Sequence, residues 1–305
     1  MKRDIVFVYH HDSREQASTV LRGEQLSSIV DRHLNERRGV EYTRFLDFHG
    51  KIVILTKGML ERCSVEQLAD LRSKDNILVA DFIDAIPIID LLPEIDVLLA
   101  SSVNGHEMYK NDFPNHMTAY VTHHIDTRIQ PQKNETVVSE FRAAYFGSPR
   151  NTYSRNVSFL REQISRFQGK AISSFVDFNQ IVTDKKTTDW IDLLPNHNFH
   201  YAVRRDRDFD GPKPFVKGFI AAKCNSNMMI QRDSGDAEYY LGEDYPFYLT
   251  ADPSISEIVD GLKYAKDSFG GPDWAHGLEI MADIRERSSL HRIGQEFSKM
   301  IDLLD

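Results

Sequence analysis

The sequence predicts an α/β chain built from two Rossmann-like halves, and three observations carry that expectation. Short runs of Val, Ile and Leu without polar alternation recur between amphipathic segments, as strands covered on both faces require. The rhythm breaks at a polar stretch over residues 129–139 and then restarts. The length of 305 residues is roughly twice that of a typical domain.

The first half opens with Ile5–Tyr9 as a buried strand. A helix over Ser18–Leu34 follows, with Leu26, Ile29, Val30, His33 and Leu34 at helical spacing. Next come a strand over Lys51–Thr56 and a helix over Ser64–Arg72, with Ser64 as N-cap and Gln67 three residues on. Asn76–Phe82 reads as a strand, Ile88–Leu92 as a short helix, and Asp96–Ala100 and Thr118–Thr122 as two more strands. After the break, Phe141–Phe146 is a second first strand, followed by Gly147-Ser148-Pro149 and a helix over Ser154–Phe167. Phe175–Phe178, Phe199–Val203 and Met228–Gln231 read as strands and Phe215–Cys224 as a helix. The last segment, Leu278–Leu304, carries Leu290, Ile293, Phe297, Met300, Ile301 and Leu304 on one helical face. The expected organisation is residues 1–130, residues 131–284, and a C-terminal helix over 285–305 that packs back on the first domain.

Composition narrows the function. Hydrophobic residues make 41% and charged residues 27%, which is ordinary globular composition. The 37 basic and 46 acidic residues give net −9, which argues against wholesale binding to nucleic acid or anionic lipid. Two cysteines, Cys63 and Cys224, cannot build a disulfide framework or a cysteine-only zinc site. Met1-Lys2-Arg3-Asp4 runs directly into a strand, and no stretch approaches the ~20 apolar residues of a membrane span. A cytoplasmic protein without a transmembrane segment is the expectation.

Ligands of such sheets bind beyond the carboxyl ends of the strands, and six segments there bear chemistry. His10-His11-Asp12 follows the first strand, either as metal ligands and acid–base groups or as a polar loop with a capping Asp. Arg22-Gly23-Glu24-Gln25 offers an anion clamp or an exposed helix arginine. Of Asp81 and Asp84, one suits a turn cap and the other a sugar hydroxyl. His123-His124-Ile125-Asp126-Thr127-Arg128 lies at the junction, where adjacent histidines followed by Asp are unusual for a core. Residues 201–223 hold six basic and three acidic side chains, a net +3. There Pro214 suits a first helical turn, with Lys213 and Lys217 one turn apart on one face. Arg204, this lysine pair and a helix N-terminus suit a diphosphate, against the reading of a solvated loop with interleaved Asp206, Asp208 and Asp210. Last, Gly235 frees a turn beside Asp236 and Glu238, either of which suits ribose hydroxyls or a helix cap.

In this order the parts resemble glycosyltransferases of the GT-B fold, and among them glycosyltransferase family 4 and its relatives. Val121–Ile129 occupies the place of that family's junction segment, and Phe141–Gly147 that of the strand and glycine opening its donor domain. Lys213–Ala222 resembles its lysine-bearing helix, and Met228–Glu238 its strand–glycine–glutamate stretch. The resemblance implies two Rossmann-like domains facing a central cleft. It also implies metal-independent transfer, with retention, from a nucleotide-diphosphate sugar to a saccharide or glycan acceptor. Catalysis would fall to His123, His124, Arg204 and Lys217. The donor would be bound by Gly147, Arg204, Lys213, Lys217, Gly235, Asp236 and Glu238, and the acceptor by His11, Arg22, Asp84 and Asp126. No metal and no further cofactor are expected. Two other readings stand beside this one. One is a metal-dependent phosphoesterase or related hydrolase using the two His-His-Asp clusters. The other is a non-catalytic nucleotide-sugar-binding module, because no acid clearly marks the first position of the family's Glu-x7-Glu pair.

Overall fold

The computed structural model describes residues 2–35, 37–130, 139–146, 172–176, 189–204 and 211–305, with 172–176 and 189–190 described as backbone. Gly147, the 154–167 segment, residues 177–178 and Arg205–Asp208 lie outside the described residues. The chain divides into two units. The first comprises Met1–Thr127, Asp210–Pro214 and Ser288–Asp305, the second Arg128–Phe209 and Phe215–Arg287.

The first unit is a six-stranded, all-parallel sheet. Its strands are β1 (Ile5–Val8), β2 (Val40–Thr43), β3 (Ile52–Thr56), β4 (Ile77–Ile83), β5 (Val97–Ala100) and β6 (Met117–Tyr120), in the order β2-β1-β3-β4-β5-β6. Between β1 and β2 the chain is helical from α1 (Ala17–Thr19) through a π-helical turn over Val20–Gln25 into α2 (Leu26–Leu34). A single turn, α3 (Lys57–Leu60), follows β3, and α4 (Val65–Ser73) leads to β4. Ser64 caps α4 in a reciprocal box with Gln67, as its spacing predicts. Alternation along the strands divides the core. Ile5 and Phe7 meet Leu26, Ile29 and Val30 of α2 on one face, while Val6 and Val8 meet Leu68 and Leu71 of α4 on the other. Helix α5 (Val103–Asp112) connects β5 to β6.

The second unit carries β7 (Ala143–Phe146), β8 (Ile172–Val176), β9 (Phe199–Tyr201), β10 (Asn227–Gln231) and β11 (Tyr248–Leu249), parallel and ordered β11-β10-β9-β7-β8. Helix α6 (Asp189–Leu193) precedes β9, α7 (Val216–Lys223) precedes β10, and α8 (Ala237–Leu241) precedes β11. Helices α9 (Ile255–Asp267) and α10 (Pro272–Arg287) complete it, with Trp274 stacked on Phe199 at 5.9 Å. Read from its own first strand, this sheet is wired 2-1-3-4-5, the order in which the first sheet begins. Each unit therefore has a topological switch point, between β1 and β3 in one and β7 and β9 in the other.

The last helix, α11 (Leu290–Asp302), belongs to the first unit, where it packs on α2 and stacks Phe297 on Phe7 at 5.6 Å. The amphipathic pattern from Leu278 is therefore two helices, broken at Ser288–Ser289 where Ser289 caps α11 through the Arg292 amide. Among the described residues no helix is long and apolar enough to cross a membrane.

Candidate functional site

At the switch point of the first sheet, residues 10–13 form a tight turn. The Ser13 hydroxyl donates to the His10 carbonyl at 2.8 Å, and the Asp12 amide donates to His10 Nδ1 at 3.3 Å. His11 Nε2 lies 3.1 Å from an Asp12 carboxylate oxygen, and ligand atoms of His10, His11 and Asp12 fall within 4.8 Å of one another. His11 and Asp12 are exposed, His10 is half-buried and Ser13 is buried, and the three ligand-bearing residues could hold a divalent ion. Gly58, on α3 at the end of β3, permits the turn, because a Cβ there would lie 2.5 Å from Ser13 Cβ.

Behind that turn is a buried polar cluster. Arg22, expected on the acceptor, is instead wholly buried. Its Nε donates to Asp81 Oδ2 at 2.7 Å and its Nη1 to the carbonyls of Val121 and Thr122 at 3.3 Å each. Burial raises the Asp81 carboxyl, and the adjoining guanidinium opposes that rise. Ile83 has φ +63°, a left-handed conformation rare for a β-branched residue, and its amide donates to Asp81 Oδ1 at 3.2 Å. Asp84 is half-buried and paired with Lys57 Nζ at 2.7 Å. Tyr109, from α5, is buried; burial and the Asp81 and Asp84 charges raise its phenol.

The junction beyond β6 has no strand or helix, yet it is buried from Val121 to Asp126. Side chains fix it. Gln25 Nε2 donates to Asp126 Oδ1 at 3.0 Å, Gln25 Oε1 accepts from the Thr127 amide at 2.9 Å, and Glu296 of α11 accepts from the Thr122 amide at 2.9 Å. Asp126, another expected acceptor contact, thus accepts from the Gln25 side chain here. His123 Nδ1 lies 2.7 Å from the His124 carbonyl. A carbonyl only accepts, so Nδ1 carries the proton and the neutral ring offers Nε2 as an acceptor. Burial and then Arg22 lower His123 to about 3. Burial, His123 and Arg22 hold His124 well below its ordinary value, and the two rings stack at 5.7 Å. Both histidines are neutral at ordinary pH.

In the second unit, the main chain of Arg204 beyond β9 is gripped by Gln231 at the end of β10. The Arg204 amide donates to Gln231 Oε1 at 2.8 Å, and Gln231 Nε2 donates to the Arg204 carbonyl at 2.5 Å. Lys217 lies in the first turn of α7, its buried Nζ 4.2 Å from the centroid of the Tyr145 ring on β7. An ammonium over a desolvated aromatic face gains about 2 kcal/mol. Burial, then His197 and Lys217, lower His200 to about 3. Gly235 has φ +54°, as its place in a turn requires, Asp236 is buried at the N-cap of α8, and Glu238 is exposed, 3.8 Å from Arg232 Nη1.

Two expectations about the basic segment are corrected. Pro214 is not in the first turn, because Phe215 is the N-cap and α7 starts at Val216. Lys213 therefore lies off the helix, shares no helical face with Lys217 and belongs to the first unit. Phe215 takes the cap because its ring folds onto Gly218, where a Cβ would overlap it. Gly147 lies outside the described residues. Sequence reasoning missed Lys57, Gly58, Tyr109, Gln231 and Glu296. The signal for Lys57 and Gly58 was present, since both directly follow an apolar strand.

No family model and no curated protein matches this sequence. Solved structures do match. HepE from Anabaena, crystallised with UDP, is 10% identical over 98% of this chain and all of that one, with a TM-score of 0.64. A glycosyltransferase from Rickettsia africae is 10% identical over 99% of this chain and 98% of its own, also at 0.64. A GtfA/B complex matches at 0.54 and 8% identity; this chain spans 57% of that one. The chain has the GT-B-type fold of these proteins.

Proposed function

We propose that the protein is a glycosyltransferase of the hexosyltransferase type, taking a nucleotide-diphosphate sugar as donor and a saccharide or glycan as acceptor. The observation that carries this reading is the shared fold along 98% of the chain with HepE, a protein whose crystals hold UDP, UDP with glucose, or UDP-glucose. Membership of glycosyltransferase family 4, retention of configuration and a cytoplasmic location are parts of the proposal.

Arg204, Lys217 and Gly147, all of the second unit, take the donor diphosphate. Their positive charge stabilises the charge that develops on the leaving nucleotide diphosphate, which is why transfer without a metal is proposed. Glu238, with Gly235 and Asp236, takes the ribose. On the first unit His11 and Asp84 face the acceptor, and Asp126 and Arg22 shape that side from within. His123, neutral and with Nε2 as acceptor, receives a hydrogen bond from a sugar hydroxyl rather than donating a proton. His124 backs it.

The His10, His11 and Asp12 ligand atoms favour one second reading, a divalent-metal hydrolase centred on that turn. Thermal unfolding with a panel of nucleoside diphosphates, each with and without chelator, separates the two. A ligand at 100 times its Kd adds about 2.7 kcal/mol. A selective shift that survives chelation supports the transferase and names the donor base. Stabilisation by a divalent ion with no nucleotide effect refutes it in favour of the hydrolase.

A further inference from the structure

We infer that Arg22 is a positioning residue, which sets the His123–His124 turn and never touches substrate. The inference rests on the transferase reading only for what the histidines then do. Arg22 lies in the π-helical turn over Val20–Gln25, with Gly23 beside it letting that turn lie against Tyr42 and Thr56 of the neighbouring strands. Such turns re-aim side chains by inserting a residue into a helix. The guanidinium reaches Asp81 at the end of β4 and, through Nη1, the carbonyls of Val121 and Thr122, the two residues before His123. The amides of this segment continue the pairing with β5, Val121 donating to the Ala100 carbonyl at 3.1 Å and His123 to the Ser101 carbonyl at 3.2 Å, while the carbonyls of Val121 and Thr122 are taken by Arg22. The left-handed backbone at Ile83 directs its amide to Asp81 Oδ1, which leaves Oδ2 for Arg22. Strain of this kind persists only where the surroundings over-determine it. Gln25, one turn on, takes Asp126 and Thr127 at the far side of the histidines. The pair of histidines is therefore gripped before and after by one helical turn, with Glu296 holding the Thr122 amide from α11.

A lysine at position 22 keeps the charge for Asp81 but has one nitrogen, so it cannot hold Asp81 through one donor and the two carbonyls through another, as Nε and Nη1 do. The test is Arg22→Lys, with two readouts. Ring-nitrogen NMR of His123 reports its tautomer, which is protonated on Nδ1 in the parent, and kinetics with a nucleotide-sugar donor report kcat against KM. The expected result is a folded variant in which the His123 tautomer becomes mixed. Turnover should drop about 10²-fold, the scale of a 1 Å misplacement, while KM for the donor is kept. A folded variant with an unchanged His123 ring, or with turnover and donor KM unmoved, overturns the inference. If Arg22→Lys fails to fold, the pair Arg22→Met with Asp81→Leu removes both buried charges together, a replacement that buried ion pairs often tolerate, and the same readouts decide. If the parent turns over no donor, the transferase reading fails, and the His123 ring spectrum alone still decides the role of Arg22.

Discussion

Replacing Gly58 by alanine tests the packing on which the His10–Ser13 turn of the first unit depends. The added Cβ would sit 2.5 Å from Ser13 Cβ and 3.2 Å from Thr19 Oγ1, against an ordinary carbon–carbon contact of about 3.5–4.0 Å. Turning the Ser13 hydroxyl aside does not relieve the clash, because Cβ is fixed to the backbone; residues 10–13 must move by about 1 Å to restore contact distance. Overpacking of this kind costs about 1–3 kcal/mol. Moving Ser13 also endangers its 2.8 Å bond to the His10 carbonyl, worth about 0.5–1.5 kcal/mol. The gain from replacing glycine within a helical turn is about 0.5–1 kcal/mol, so the net loss is about 2 kcal/mol. For a unit of this size that is roughly 4–8 °C in Tm. The assay is urea unfolding of Gly58→Ala, Ser13→Gly and the double variant. The clash predicts that Ser13→Gly recovers much of the loss, so the double variant is more stable than the sum of the singles. An unchanged midpoint in Gly58→Ala, or strictly additive singles, would refute the reasoning.

Three further outcomes are expected. His123 and His200, held near 3, and His124, held well below its ordinary value, bind a proton in the unfolded chain but not in the folded one as pH falls through about 6.5. Unfolding therefore gains protons, and stability, full above that pH, should fall by about 2 kcal/mol per histidine between pH 7 and 5; His124→Phe should flatten the profile, and urea midpoints equal at the two pH values would contradict it. Lys217→Ala should weaken nucleotide-diphosphate binding by about 1.5–3 kcal/mol as read by calorimetry, and unchanged affinity would remove it from the proposed donor site. Glu238→Gln should weaken a nucleoside more than pyrophosphate; equal losses would speak against a ribose role.

Much of the fold was legible because its physics is local. β1 is wholly apolar and β3 is apolar up to its last residue, Thr56, with every residue of both buried, and such runs state that both faces are covered. Ser64 and Gln67 announce a cap in four residues. The elements that escaped are those whose stability is borrowed. β2 lies at a sheet edge with mixed burial, β11 is two residues long, and α5 buries only Gly105 and Tyr109 among polar neighbours. The break at Ser288–Ser289 was hidden because apolar periodicity continues across it. Strand order was not readable at all, since hydrogen bonding between β1 and β3 leaves no mark on either sequence.

The site divides along the same line. Position after a strand marked His10, Asp84, His123 and Arg204 without any knowledge of partners. What each does was beyond that signal, because chemistry here is set by pairs distant in sequence. Arg22 meets Asp81, 59 residues away, and Val121, 99 residues away. An arginine entering a helix and an aspartate at a strand end read as ligand contacts; joined and buried, they become an internal brace. The reverse holds for the histidines. Adjacent exposed histidines would titrate near pH 6.5 and suit acid–base work, but burial beside Arg22 makes them neutral, and the His124 carbonyl fixes the His123 proton on Nδ1 and leaves Nε2 to accept. Whether a polar residue at a carboxyl edge binds, braces or backs another is decided by burial and partner, and in this chain those come from Asp81, Gln25 and Glu296, which belong to three different elements.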